Sequence, residues 1–432
     1  MRKILPLLVV LPTLAHANLD KFISDSKIKT TFRMDYIDLH SDGLGSESFG
    51  FPDYDMGTWA QSAKVALTSG YYNDHFGIDM DAYAVDPIGS QGEGFATREI
   101  VKADENGNPK GFVKLPQLFL KQKFMLGDTR IEFFEGRRVL KEYGGTSVED
   151  NAAMSSYNSL TSEIKNDNWF VKLGYLMEYS DSDEDDSSRL LTPEGLGIDY
   201  IATSDFAYRN GANEYRYYLT ESQDYMRKQQ IRYARTLGPE VFSVPAKFTA
   251  TVTYQQGLTH YKSMSASNRM FDDDAMMLEL DAEFFIDETY LKLAYNYTDA
   301  SRKGSLGKFS FNMADGVQGS QDSITSGNAW DYNNHREHAF AVMAFHDLTD
   351  SFTTGLDIRG GFFSYGGDTI TQGEVSFVNV WHPVTIPGLS VSFVAARDLS
   401  FKQAFDNTPY MVNDKFQRSK GHAWVSTIMY SF

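Results

Sequence analysis

The chain ends Trp424-Val425-Ser426-Thr427-Ile428-Met429-Tyr430-Ser431-Phe432. Read at a period of two, Trp424, Ile428, Tyr430 and Phe432 fall on one side and Val425, Thr427 and Ser431 on the other. This is the alternation of a β-strand with one face toward lipid and one toward water.

The other end of the chain agrees. Arg2 and Lys3 precede an apolar stretch from Ile4 to Leu14, and Ala15-His16-Ala17 forms a small-residue cleavage site. Residues 1–17 therefore read as a secretory signal peptide, leaving Asn18 as the mature N-terminus and 18–432 as one transmembrane barrel domain. The apolar stretch is too short to span a bilayer and contains Pro6 and Pro12.

Composition separates a soluble exported protein from a barrel. Aromatic residues make up 14% of the chain, yet its mean hydropathy is negative. A barrel reconciles the two, because only alternate residues need be apolar and aromatic girdles mark both interfaces. With 58 acidic against 40 basic residues, a nucleic-acid partner is excluded. The absence of Cys removes disulfides and thiolate chemistry.

The alternation recurs along the chain. Ile28, Thr30, Phe32, Met34 and Tyr36 oppose Lys29, Thr31, Arg33 and Asp35; Met276, Leu278, Leu280, Ala282 and Phe284 oppose Met277, Glu279, Asp281 and Glu283. Gly127-Asp128 and Asp287-Glu288 mark tight turns. The stretches 40–57, 86–111, 138–165, 180–213, 300–334 and 403–421 are polar and read as long loops at the opposite rim. The expected fold is all-β, a transmembrane antiparallel barrel of roughly 18 strands, roughly 16 being the alternative from barrel dimensions.

Trp59-Ala60-Gln61, Ser69-Gly70-Tyr71 and Phe76-Gly77-Ile78-Asp79-Met80-Asp81-Ala82, with Phe22 to Lys27 before them and Pro387-Gly388-Leu389-Ser390 near the end, resemble the OprD family of outer-membrane porins. The resemblance implies an eighteen-stranded barrel narrowed by an inward-folded third extracellular loop, and a terminal aromatic read by the barrel-assembly machinery, here Phe432 with Tyr430. Tyr83-Ala84-Val85-Asp86-Pro87 departs from the family's Gly-Leu-rich continuation, and the middle of the chain is more acidic than in carboxylate-selective members.

A pore selects by width and by charge at its narrowest part. Alternation sends Arg33, Lys64, Asp79, Asp81, Lys121, Lys123, Arg130 and Glu132 inward, followed by Arg137 and Arg138 and by the candidate constriction loop with Glu142, Tyr143, Glu149 and Asp150. Glu279, Asp281 and Glu283 form an acidic stripe on a distant strand. The expected function is passive diffusion of small hydrophilic solutes (amino acids, peptides, carboxylates or sugars) across the bacterial outer membrane, with lipid and lipopolysaccharide as surroundings. Tyr143 and Tyr157 leave open an oligosaccharide channel like the chitoporins.

The other class is a closed barrel acting as adhesin or hydrolase. Against an enzyme, the chain has no Gly-x-Ser-x-Gly elbow and no P-loop. No cofactor or metal is expected: His335 and His338 lack a third ligand nearby, and Asp181 to Asp186 and Asp272 to Asp274 read as solvated loops, a divalent bridge to lipopolysaccharide phosphates being the alternative.

Overall fold

The period-two pattern folds as eighteen long antiparallel strands, each paired with its neighbours in chain order. They are β1 (Lys27–Ser41), β2 (Tyr54–Thr68), β3 (Phe76–Gln91), β4 (Phe112–Leu126), β5 (Thr129–Arg138), β6 (Ser156–Lys165), β7 (Trp169–Ser180), β8 (Ile201–Asn210) and β9 (Asn213–Ser222). The second half comprises β10 (Met226–Leu237), β11 (Ala246–Gly257), β12 (Asp274–Ile286), β13 (Thr289–Asp299), β14 (His338–Thr349), β15 (Phe352–Tyr365), β16 (Asp368–Trp381), β17 (Leu389–Phe401) and β18 (Arg418–Ser431). Pairing of β18 with β1, from Thr31 opposite Ser431 to Ser41 opposite Gly421, closes the barrel and leaves no free sheet edge. The computed structural model describes residues 19–42, 54–91, 100–315, 317, 323–328, 330–404 and 408–432, so the expected leader 1–17 lies outside the described residues.

The faces follow from the pleat. Phe32 (50% exposed), Leu280 (42%), Leu356 (47%) and Ile428 (41%) point outward, while their neighbours Asp281, Asp357 and, across the closing seam, Asp35 are buried on the inner side. An apolar belt running around the whole barrel is far beyond what a soluble surface carries.

Four strands differ from expectation. β6 and β8 lie in stretches read as loops (138–165 and 180–213), and β9 and β10 are not foreshadowed by alternation. In β9 both faces carry tyrosine, Tyr215 and Tyr217 outside and Tyr218 inside, and in β10 Gln229 faces out while Lys228 and Gln230 face in. With similar residues on both sides, the period disappears from the sequence although the pleat remains.

At one rim the turns are tight: Gly127 (φ +60°) and Asp128 join β4 to β5, and Asp287 (φ +48°) with Glu288 joins β12 to β13. At the other rim the connections are long, and among the described residues those of 139–155 and 300–337 turn inward, with Ile100 and Val101 packed against Ala152 and Ala153 of the first. Leu140 and Tyr143 of the 139–155 loop, and Phe309, Met313 and Ala314 of the 300–337 loop, bury against Tyr157, Leu176, Tyr179, Met226 and Met277 of the wall. The largest apolar core therefore lies inside the barrel, between wall and loops. The constriction loop is 139–155 and not 138–165, because 156–165 continues the sheet as β6.

Candidate functional site

On the wall made by β1 to β5, inward cations are matched by inward carboxylates. Lys64 Nζ lies 2.8 Å from Asp81, Lys121 Nζ 2.6 Å from Asp79, and Arg130 Nη2 2.5 Å from Glu132. Glu132 also accepts the Tyr71 hydroxyl at 2.9 Å, and Lys123 stands over the Tyr71 ring, 4.1 Å from its centroid. The expected basic wall is thus a ladder of ion pairs, which orients polar groups without a large net charge.

The consecutive residues Arg137 and Arg138 part company, as strand alternation requires. Arg138 faces inward: it donates to Thr161 Oγ1 at 2.5 Å, lies 3.3 Å from Glu163, and stacks on Phe134 with its guanidinium carbon 3.8 Å from the ring centroid. Arg137 faces the outside and binds Ser187 Oγ at 2.6 Å and the Leu115 carbonyl at 3.2 Å. Arg137 therefore departs from its expected place on the pore lining.

Height separates the rest of the expected cluster. Lys121, Lys123 and Arg130 lie near the tight-turn rim, whereas Arg138 ends β5 beside the constriction loop. Eight residues along one strand put Arg130 and Arg138 about 27 Å apart.

The constriction loop is pinned across the interior. Gly145 N donates to Thr220 Oγ1 at 2.7 Å, and Gly144 (φ +63°) packs so tightly that a Cβ would overlap the Thr203 hydroxyl. Arg216 Nη2 is 2.5 Å from Asp205 and Nη1 3.8 Å from Glu142. At its far end, Asp150 binds Arg33 of β1 at 2.9 Å and Lys141 at 2.9 Å. Tyr143 donates to the Ser162 carbonyl at 2.9 Å, and burial pushes its phenol pKa up. A cavity of ≈ 360 Å³ beside the loop is lined by Arg138, Lys141, Lys172 and Glu163, with Gln117 and Tyr143.

Glu279, Asp281 and Glu283 stand on β12, most of the way round to the opposite wall. Lys292 lies 3.5 Å from Asp281 and 3.9 Å from Glu283. Glu279 accepts the Ile324 N–H at 2.8 Å, so part of the acidic stripe anchors the second inward loop. That loop also leans on Glu374, which accepts the Asn328 N–H at 2.9 Å, and on Asp398, which accepts the Trp330 indole at 3.1 Å. Glu337 closes it: the carboxylate accepts from Asn334 Nδ2 at 2.7 Å and Gln372 Nε2 at 2.6 Å, and burial pushes its pKa up to about 7.

Arg216, Asp205 and Glu163 escaped the sequence reading because they sit on β9, β8 and β6, whereas Lys172 sits on the foreseen β7 and gains its place only from the loop that turns in beside it. The one available signal was Arg216 set between Tyr215 and Tyr217.

The acidic runs are held by lysines. Lys102 pairs with Glu184 (2.9 Å) and Asp185, Lys114 caps the Asp181 carbonyl, and Lys262 meets Asp273 at 3.2 Å. His335 accepts the Ala300 N–H at 3.1 Å, while His338 Nδ1 meets the Tyr295 hydroxyl at 2.9 Å. Among the described residues no three His, Asp or Glu groups converge as a metal site.

No family model matches the chain, and no curated protein matches it. Solved structures do. Pseudomonas aeruginosa OccK8 (OprE) superposes with a TM-score of 0.72 at 13% identity, over 95% of this chain and 99% of that one. Acinetobacter baumannii OccAB4 gives 0.70 at 15%, over 94% and 98%. Pseudomonas aeruginosa OpdK, solved with vanillate, gives 0.67 at 12%, over 95% and 99%. Over nearly its whole length the chain shares their eighteen-stranded barrel fold.

Proposed function

We propose that the protein is an outer-membrane porin that lets small hydrophilic solutes diffuse passively past a charged constriction, without catalysis. The observation that carries this reading is the charged inner face of a closed barrel, narrowed by a loop tied from Thr220 to Arg33. The apolar outer belt, the aromatic ends of β18 and the OprD-family porins among its structural neighbours support it. In this reading residues 1–17 direct export, 18–432 form the barrel, and Phe432 and Tyr430 are read during assembly.

The solute class follows from the cavity beside the loop. Tyr143, the ring in its lining, lies 6.0 Å from the Arg138 guanidinium carbon, whose own face is covered by Phe134 at 3.8 Å and Phe119 at 5.2 Å. A solute there meets Arg138, Lys141, Lys172 and Glu163 before it meets a ring face, which favours carboxylate-bearing or zwitterionic solutes over oligosaccharides.

Planar-bilayer recording tests this. The wild type should form stable ion-conducting channels, and Arg138→Ala with Lys172→Ala should lower the anion-to-cation permeability ratio. The shift should fade in 1 M salt, where the Debye length is about 3 Å. A protein inserted as a closed, non-conducting barrel would overturn the reading.

A further inference from the structure

We propose that the outer face formed by β16, β17, β18 and β1 is a binding site for a phosphorylated glycolipid of the outer leaflet. The site rests on the outer-membrane reading above but lies outside the pore.

Pairing register sets its geometry. Val375 is opposite Arg397, Arg397 opposite His422, and His422 opposite His40, so these side chains form one row across four strands. The residues of this row share the parity of the outward-facing Phe377, Trp424 and Tyr36 on their own strands, and Arg397 and His422 are exposed. The His40 and His422 rings stack with centroids 5.0 Å apart. Lys420 stands two residues nearer the long-loop rim, opposite Leu399.

Two residues nearer the middle of the barrel, about 7 Å along the strands, Phe377, Ala395 and Trp424 form the next row. Ala395 is small, so the rows enclose a hollow of ≈ 790 Å³ between Phe377 and Trp424. The Phe393 ring supports Trp424 at 5.7 Å.

Charge and apolar surface meet in this patch. The chain has 58 acidic against 40 basic residues, yet Arg397 and Lys420 have no ion pair among the described residues. Three other outward basic groups at this rim are engaged: Arg227 with Glu221 at 2.6 Å, Arg137 with Ser187 at 2.6 Å, and Arg418 over the Phe416 ring at 5.1 Å. Two carboxylates share the face: Asp42, which lines the hollow and accepts the Lys420 backbone N–H at 2.5 Å, and Asp38, which accepts the Tyr36 hydroxyl at 2.9 Å.

An aromatic row marks the membrane interface, and lipid phosphates lie at the level just beyond it. There the guanidinium of Arg397 supplies a planar fork for phosphate oxygens and Lys420 a mobile point charge, with the imidazoles of His40 and His422 as further donors. An acyl chain then runs down the hollow over Ala395.

Native mass spectrometry of the full mature protein in detergent tests the site, with bisphosphorylated lipid A, the same lipid dephosphorylated, and inorganic phosphate as probes. Lipid A should bind, whereas the dephosphorylated lipid and inorganic phosphate should not be retained. Arg397→Ala with Lys420→Ala should weaken lipid A binding roughly 30-fold, each basic group near an anionic lipid surface being worth about a factor of five.

Equal retention of lipid A and its dephosphorylated form by the wild type overturns the proposal, as does undiminished binding by a double variant that keeps heat-modifiable gel mobility. Retention of free phosphate without lipid A also overturns it. Conductance of the same double variant should equal that of the wild type. Lipid A binding by a barrel that conducts nothing would reject the porin reading and leave this site standing.

Discussion

Arg33 on β1 holds Asp150 at the far end of the constriction loop: Nη1 lies 2.9 Å from Oδ1, and Nη2 donates to the Asp150 carbonyl at 3.0 Å. The same arginine bonds Asp35 through Nε at 2.9 Å, so it is oriented by its own strand before it meets the loop. Arg33→Ala should release the end of the loop while the anchor at Gly145 and Thr220 stays in place. The expected result is a larger and noisier single-channel conductance. Current traces indistinguishable from wild type would show that the loop's width is set elsewhere.

Leu280 and Asp281 are adjacent in sequence and on opposite faces. Leu280→Lys places an ammonium on the outer belt and should cost about 2 to 4 kcal/mol if the site is near the bilayer midplane. Asp281→Asn keeps the shape of a buried inner side chain and leaves Lys292 with Glu283, so it should cost clearly less than the outer lysine. Urea unfolding from liposomes measures both, and comparable losses would mean the faces are misassigned.

Phe432 extends β18 against β1: its N–H donates to the Thr30 carbonyl and its carbonyl accepts the Thr30 N–H, both at 3.0 Å. Its ring lies 6.1 Å from Phe32 and 5.6 Å from Tyr430. Phe432→Ser keeps the backbone pair and removes the aromatic contact. We expect slower assembly and less heat-modifiable protein at the outer membrane; wild-type amounts of folded barrel would exclude a role for the ring.

Glu337 should make the second inward loop sensitive to pH. Burial raises its folded-state pKa from 4.5 to about 7, so the folded state binds the proton more tightly than the unfolded one. Its contribution is fully present below pH 4.5 and is lost as pH rises through about 7. Protection of the amides around Glu337 and Asn334, with exchange rates divided by their intrinsic values at each pH, should therefore be higher at pH 5 than at pH 8, and Glu337→Gln should flatten the difference. An unchanged pH profile in the variant would assign the effect to another group.

Much of the barrel is legible in the sequence because the pleat is local. Each strand exposes alternate residues to two media, so Leu280 out and Asp281 in, or Phe32 out and Arg33 in, need no knowledge of the rest of the chain. Short turns such as Gly127-Asp128 are local for the same reason. The signal fails in β9 and β10, where tyrosine and glutamine suit an interface and a wet lumen equally well.

The interior was decided by tertiary structure. Sequence alone separated inner from outer side chains along the strands it foresaw, Arg137 excepted, but ion pairs such as Lys121 with Asp79 and Arg33 with Asp150 join residues far apart in the chain. Partners of this kind depend on strand register and on which loops turn in. That the 300–337 loop enters beside the 139–155 loop depends on Glu279, Glu374 and Asp398 offering acceptors to its backbone and indole donors, a match that exists only once the wall has closed.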